Sequence, residues 1–319
     1  MGVDRPSRLH KQGSSLYHHH AQTSRTNVAC ETRVQRLKPS FIHSNLEAAL
    51  CSNSPVVQTA ATPHAMLFES RFLFIPSRKI VGSPADHGLA FQDIVRVTTD
   101  GLRIHGWLLM PDLEPNTEPD AWVLYSHGNA GNLSSRPVVV APLVRRGIAV
   151  LLYDYRGYGR SEGKPTEQGT YLDAEAMLRE LFSRSPEPRR VFLYGRSLGG
   201  AVSHEMALRH PEVGGLISDA TFTSVPDLAR VLIPIPGIER FVRARYDNLA
   251  KARVIKIPRL VMHGTRDKLI PFSMSERLRD CTEPKAAFHA IEGAGHNDTY
   301  RLGGSEYADT ICKFIHACR

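Results

Sequence analysis

The sequence predicts an α/β protein built on one mostly parallel sheet of eight strands flanked by helices. Three observations carry that prediction. Eight apolar runs of about five to seven residues recur at intervals, and most end in glycine, aspartate or histidine, as buried strands feeding a functional edge do. Stretches with i, i+3, i+4 apolar spacing lie between the later runs. The first two runs have no such stretch between them, so the sheet should be antiparallel at its start and parallel thereafter.

In chain order, residues 1–65 come first. They are rich in Ser, Thr, His and Arg and show neither helical nor strand periodicity. A segment of this kind buries too little apolar surface to offset its ordering entropy, which predicts disorder. Its Arg/Ser-rich, acid-poor composition resembles an organelle transit peptide. The folded domain is expected over 66–319, from Met66 at the head of "MLFESRFLFIPSR". The strand candidates are "IVRVTT" (94–99), "IHGWLLM" (104–110), "AWVLYSH" (121–127), "IAVLLYD" (148–154), "VFLYG" (191–195), "GLISD" (215–219), "RLVMHG" (259–264) and "AAFHAIEG" (286–293). Helices are expected at 170–184, 198–210 and 306–319. A sheet of this kind places its chemistry beyond the carboxyl ends of its strands.

Composition excludes several classes. With 42% hydrophobic and 23% charged residues, the chain reads as a soluble globular protein. Of the net charge of +8, residues 1–65 contribute +4, from seven Lys/Arg against three acids, and the rest is dispersed. That lacks the dense basic footprint of a nucleic-acid binder. The five cysteines form no C-x-x-C pair and are odd in number, which argues for free thiols in a reducing compartment and against a disulfide framework or zinc site. No apolar stretch reaches the about 18–20 residues that cross a bilayer, and the N-terminus has no signal-peptide core. A cytoplasmic location is the default expectation, with organelle targeting by residues 1–65 left open. "RGYGRSEGK" fails as a phosphate loop because Pro165 stands where Ser or Thr is needed, and its glycines miss the dinucleotide spacing by one. His204-Glu205 opens a zinc-protease motif that Leu208 breaks. Neither a metal nor an organic cofactor is expected.

"VFLYGRSLGGAV" contains G-x-S-x-G at Gly195–Gly199. Alone, that string arises by chance in roughly one chain in ten of this length. Here it follows an apolar run and opens a helix, the strand–turn–helix corner on which a serine Oγ stands clear and small neighbours avoid collision. Ser197 is therefore the candidate nucleophile. It needs a base and an orienting acid. His296 lies in the glycine-flanked loop of "AIEGAGHNDTY", and Asp267 in "RLVMHGTRDKLIP". Asp219, at the end of an earlier run, competes as the acid but lies nearer the expected lid. His105, His127, His210 and His263 are read as structural. For the oxyanion, the amides of Leu198 and of Asn129, in "YSHGNAGN", are the expected donors, against the alternative of a plain Gly-Asn turn.

With "HGNAGN", "YDYRGYGRSEG", "YGRSLGG", "HGTRDKLIP" and "GAGHND" spread over about 125–298, the chain resembles the α/β-hydrolase superfamily. More narrowly it resembles the serine-hydrolase branch that includes palmitoyl-protein thioesterases and relatives grouped with serine aminopeptidases. The resemblance implies the triad Ser197, Asp267 and His296, no cofactor, and structural roles for Asp154 and Arg156 beside the site. Many relatives carry a membrane-spanning or lipidated N-terminus where residues 1–65 here are polar.

Residues 221–258, between the sixth and seventh strands, are expected to form a short helical lid. It joins an apolar portion, "VLIPIPGI" (231–238), to a basic one. From Gly237 to Arg259, seven basic residues face two acids, a balance of +5. An apolar wall with a cationic rim would suit an acyl chain carried on, or lying near, something anionic; the alternative is a solvated helix face. The reading is a serine hydrolase of esters or thioesters, acting on a small-molecule or acylated-protein substrate and open to peripheral membrane contact. A peptidase or amidase using the same residues, and a binding protein that retains the fold, are the alternatives.

Overall fold

The computed structural model describes residues 73–185 and 187–319. The readings of residues 1–65, of the domain start at Met66, and of Cys30 and Cys51 lie outside these. Eight strands form one sheet: β1 (Phe91–Val97), β2 (Arg103–Leu109), β3 (Ala121–Ser126), β4 (Ile148–Tyr153), β5 (Val191–Arg196), β6 (Gly215–Asp219), β7 (Arg259–Gly264) and β8 (Ala287–Ile291). Their spatial order is β1-β2-β4-β3-β5-β6-β7-β8. β1–β2 and β2–β4 pair antiparallel, and every later pair is parallel. Two residues, Ile75–Pro76, pair separately with Ala130–Gly131. This is the mixed eight-stranded α/β-hydrolase fold that the resemblance implies.

Helices α1 (Pro137–Val144), α2 (Glu167–Arg184), α3 (Leu198–Arg209), α4 (Val225–Leu232), α5 (Asn248–Val254), α6 (Phe272–Asp280), α7 (Thr299–Leu302) and α8 (Gly304–Ala317) cover both faces. Strand residues alternate between the faces. Leu124, Leu151 and Leu193 pack with Met177 and Val202 of α2 and α3. Val123, Val150 and Phe192 pack with Val140 and Ile311 of α1 and α8. Every residue of β3, β4 and β5 is buried, which is why these runs read as continuously apolar.

The edges depart from the expectation of buried strands. β1 buries only Ile94 of its seven residues, and β8 only Ile291 of its five, because an edge strand has one neighbour and an open flank. The α1 sequence, PVVVAPLV, carries β-branched residues and Pro142 inside the helix, so its propensity argues against a helix. Burial of Val139, Val140, Leu143 and Val144 against β4 and α8 overrides it.

The segment 221–258, expected as a lid, divides in two by burial. α4 and the turn Ile238–Phe241 form a roof, whereas Tyr246, Asn248 and Ala252 are fully buried and belong to the body of the domain. Two chain ends fix the roof. Val225 N–H donates to Arg245 C=O (2.9 Å), and Glu167 accepts from the amides of Arg245 (2.7 Å) and Tyr246 (2.8 Å). Among the described residues, no helix is long and apolar enough to cross a membrane.

Candidate active site

Ser197 sits between β5 and α3 at φ 54°, ψ −118°, a left-handed conformation that costs a non-glycine residue about 1–3 kcal/mol. The corner is held from outside: Ser197 N–H donates to Asp219 C=O (2.9 Å), and Gly200 N–H to Ser197 C=O (3.0 Å). It is also too tight for side chains. A Cβ at Gly195 would lie 2.1 Å from the Gly199 carbonyl oxygen, and one at Gly199 would lie 1.9 Å from that of Ser126.

The loops after β7 and β8 bring the other two sequence candidates to this corner. His296 Nε2 lies 3.1 Å from Ser197 Oγ, and its Nδ1 lies 2.7 Å from Asp267 Oδ2. A carboxylate accepts only, so Nδ1 carries the hydrogen, and Nε2 offers its lone pair to the hydroxyl. Asp267 is held by its own turn, its Oδ1 accepting from the amides of Leu269 (2.8 Å) and Ile270 (2.9 Å). Burial pushes this carboxyl up, but hydrogen bonds from His263 and His296 outweigh burial and hold it below the usual carboxylate range.

Three supporting residues escaped the sequence reading of roles. His263, read as structural, is fully buried, and its Nε2 lies 3.2 Å from Asp267 Oδ2 and 2.9 Å from the Ile270 carbonyl oxygen. The carbonyl requires a hydrogen on Nε2, so Nδ1 accepts from Ser275 Oγ. The i, i+4 spacing within "HGTRD" was the available signal. Arg196, between Gly195 and Ser197, is buried. Its Nη2 donates to the His296 carbonyl, and its Nε lies 3.3 Å from Asp219 Oδ2. Asp219, the competing acid, accepts instead from Thr299 Oγ1 (2.9 Å) and Tyr307 OH (2.8 Å) and is wholly buried.

His127 is the third. The loop after β3 passes over Ser197, and a Cβ at Gly128 would lie 3.6 Å from the Ser197 Cβ. His127 Nδ1 donates to the Gly128 carbonyl (2.6 Å). Tyr158 OH (2.7 Å) and Ile75 N–H (3.0 Å) donate to that of Asn129. A trans peptide holds C=O and N–H on opposite sides, so anchoring the Gly128 carbonyl fixes the direction of the Asn129 N–H. His127 Nε2 lies 3.3 Å from Asp154 Oδ1, which accepts from Leu133 N–H (2.7 Å). Arg156 reaches Asp173 (2.9 Å) and Asp100 (2.7 Å), tying the next loop to α2 and to the β1–β2 turn.

Ser197, His296, Gly128, Asn129 and Leu198 border a cleft of about 820 Å³. Its far wall is aliphatic and aromatic, with Leu228, Leu232, Ile233, Ile238, Phe241 and Val242 from the roof. The basic residues counted over 237–259 divide. Lys251 pairs with Glu205 (2.8 Å) and Arg259 is buried, whereas Arg240, Arg243 and Arg245 are exposed with no carboxylate partner among the described residues. Also among the described residues, no group of three His, Cys, Asp or Glu side chains is arranged to hold a metal ion.

Known proteins resemble this chain over most of the domain. The family model described as serine aminopeptidase, S33, matches residues 117–243. An uncharacterised protein of Mycobacterium tuberculosis is 34% identical over 248 residues, spanning 77% of this chain and 87% of that one. An α/β-hydrolase domain-containing protein of Arabidopsis thaliana is 31% identical, spanning 78% and 87%. Among solved structures, an esterase of Pyrococcus furiosus superposes with a TM-score of 0.64 at 22% identity, over 76% of this chain and 99% of that one. That last likeness speaks for the fold.

Proposed function

The chain belongs to the α/β-hydrolase family, and on that premise we propose that it hydrolyses carboxylic esters or thioesters through an acyl-enzyme on Ser197. The observation that carries the reading is the continuous relay from Ser197 Oγ to His296 Nε2 (3.1 Å) and from His296 Nδ1 to Asp267 (2.7 Å). Ser197 Oγ attacks the carbonyl carbon as its proton passes to His296 Nε2. Asp267 keeps the proton on Nδ1 and stabilises the imidazolium. The amides of Leu198 and Asn129 receive the oxyanion; losing one such donor costs about 3–4 kcal/mol of transition-state stabilisation. Collapse expels the alkoxide or thiolate, which takes the proton from Nε2. Water then repeats the sequence on the acyl-enzyme and releases the carboxylic acid. The apolar roof favours an acyl chain of some length on the cleft side of the scissile bond.

The description of the matching family favours a second reading, in which the same residues cleave an amide or peptide. A fluorophosphonate probe applied to the full chain and to Ser197→Ala tests both. Labelling of the parent alone is expected, and an unlabelled, folded parent would leave a binding protein. Matched ester, thioester and amide substrates then separate the two hydrolytic readings: a higher kcat/KM on the amide would favour the peptidase.

A further inference from the structure

We infer that the mouth of the cleft docks on an anionic lipid surface. The inference concerns where the cleft is presented, and it stands whether or not Ser197 acts on an ester. Among the described residues, six of the fourteen exposed large apolar side chains lie at this mouth or on the roof over it: Ile75, Val231, Leu232, Ile235, Phe241 and Leu269. They come from three separate segments, namely the strand piece before the sheet, the roof, and the turn that carries Asp267. Phe241 is 68% exposed, Ile235 57% and Val231 54%. Single exposed apolar residues need no explanation, but a convergent set around one opening does.

Charge selects the occupant. Arg240, Arg243 and Arg245 lie along the roof beside exposed Phe241, while Val242 and Ala244 between them pack inward on the core; the three arginines are exposed and without a carboxylate partner among the described residues. The nearby acid Glu239 is already engaged by Arg230 (3.6 Å), which also pairs with Asp227 (2.9 Å). Apolar side chains flanked by unpaired cations match a surface with hydrocarbon beneath anionic headgroups. A second copy of the chain fits poorly, because a two-fold contact through this face sets the arginine rim against itself.

The test is cosedimentation of the full chain with sucrose-loaded vesicles of phosphatidylcholine alone or mixed with phosphatidylserine. The parent is expected to bind the mixed vesicles and to be released by salt. Arg240→Gln/Arg243→Gln/Arg245→Gln should weaken that binding about a hundredfold, at roughly fivefold per arginine. Val231→Ser/Ile235→Ser, which spares the lining of the cleft, should weaken binding at high salt as well. Thermal melts check folding, and salt release of the parent serves if the triple variant does not fold. Parent protein that stays in the supernatant overturns the inference, as does equal binding to both vesicle types. Undiminished binding by both variants would place the contact elsewhere in the chain and overturn it too. So would a lipid-free dimer, in sedimentation velocity, that Val231→Ser/Ile235→Ser dissociates.

Discussion

Removing the Arg196 guanidinium should reveal two separable jobs. Arg196 and Asp219 are both buried, with Nε 3.3 Å from Oδ2; at an effective dielectric near 20, such a pair attracts by about 5 kcal/mol. Arg196→Met leaves a buried carboxylate held, among the described residues, by Thr299 and Tyr307 alone, and breaking a pair of this kind costs about 3–5 kcal/mol. Asp219→Asn strands the guanidinium and should cost a similar amount. In the double variant both charges vanish together, so it should be more stable than either single variant by about 2 kcal/mol. Activity should behave differently. Arg196 also holds the His296 carbonyl, and that hydrogen bond is absent from Arg196→Met and from the double variant alike. Urea denaturation gives the stabilities, and the rate of labelling by a small fluorophosphonate reports acylation without a large substrate. The expected result is recovered stability with labelling still slowed at least tenfold, about 1.4 kcal/mol in the barrier. A double variant that labels at the parent rate would refute the positioning of His296 by Arg196. One no more stable than Arg196→Met would refute the ion-pair account.

Two further expectations concern backbone room and buried charge. Gly199→Ala drives a Cβ to 1.9 Å from the Ser126 carbonyl and should leave no soluble folded protein, whereas Gly128→Ala meets Ser197 Cβ only at 3.6 Å and should keep its melting temperature. Because that methyl sits over Ser197 beside the Asn129 amide, Gly128→Ala is nevertheless expected to label at least tenfold more slowly; an unimpaired rate would show that the oxyanion lies elsewhere. His204, within α3, is fully buried with Nδ1 2.7 Å from the Gly200 carbonyl, and burial holds its pKa down to about 4. Above pH about 6.5 both folded and unfolded chains carry the neutral ring. As pH falls from there toward 4, the unfolded chain binds a proton that the folded one refuses, and up to about 3 kcal/mol of stability is lost. Urea midpoints of His204→Gln between pH 7 and pH 4 should fall less steeply than those of the parent, and parallel slopes would count against this account.

What could be read from the sequence follows from where burial leaves a pattern. β3, β4 and β5 are buried on both faces, so they appear as unbroken apolar runs and their ends fall within about a residue of the observed ones. The corner at Ser197 was legible because its steric demands leave glycines at fixed offsets, and backbone atoms now stand where their side chains would be. α1 was not legible, since its helix exists through contacts with β4 and α8 that no local signal in PVVVAPLV encodes. The choice between Asp219 and Asp267 depended on which carboxylate meets His296 Nδ1 across 29 residues, a question of loop direction rather than residue type. His263 and Arg196 went unread for different reasons. Arg196 touches the His296 carbonyl across 100 residues, a contact formed only after the sheet has closed, whereas His263 meets Asp267 four residues away and its signal was local but shared with any buried histidine.

The position of β8 at the rim of the sheet bears on how samples of this protein are judged. His296 hangs from the end of a strand that, among the described residues, pairs on one side only, with β7, and buries a single residue. Fraying there would remove the base from Ser197 while β2, β3 and β4 remain intact. Both tryptophans of the chain, Trp107 on β2 and Trp122 on β3, belong to that more durable half. Tryptophan emission would therefore certify a preparation as native after its working end had already come apart, and a count of titratable serines is the sounder measure of intact material.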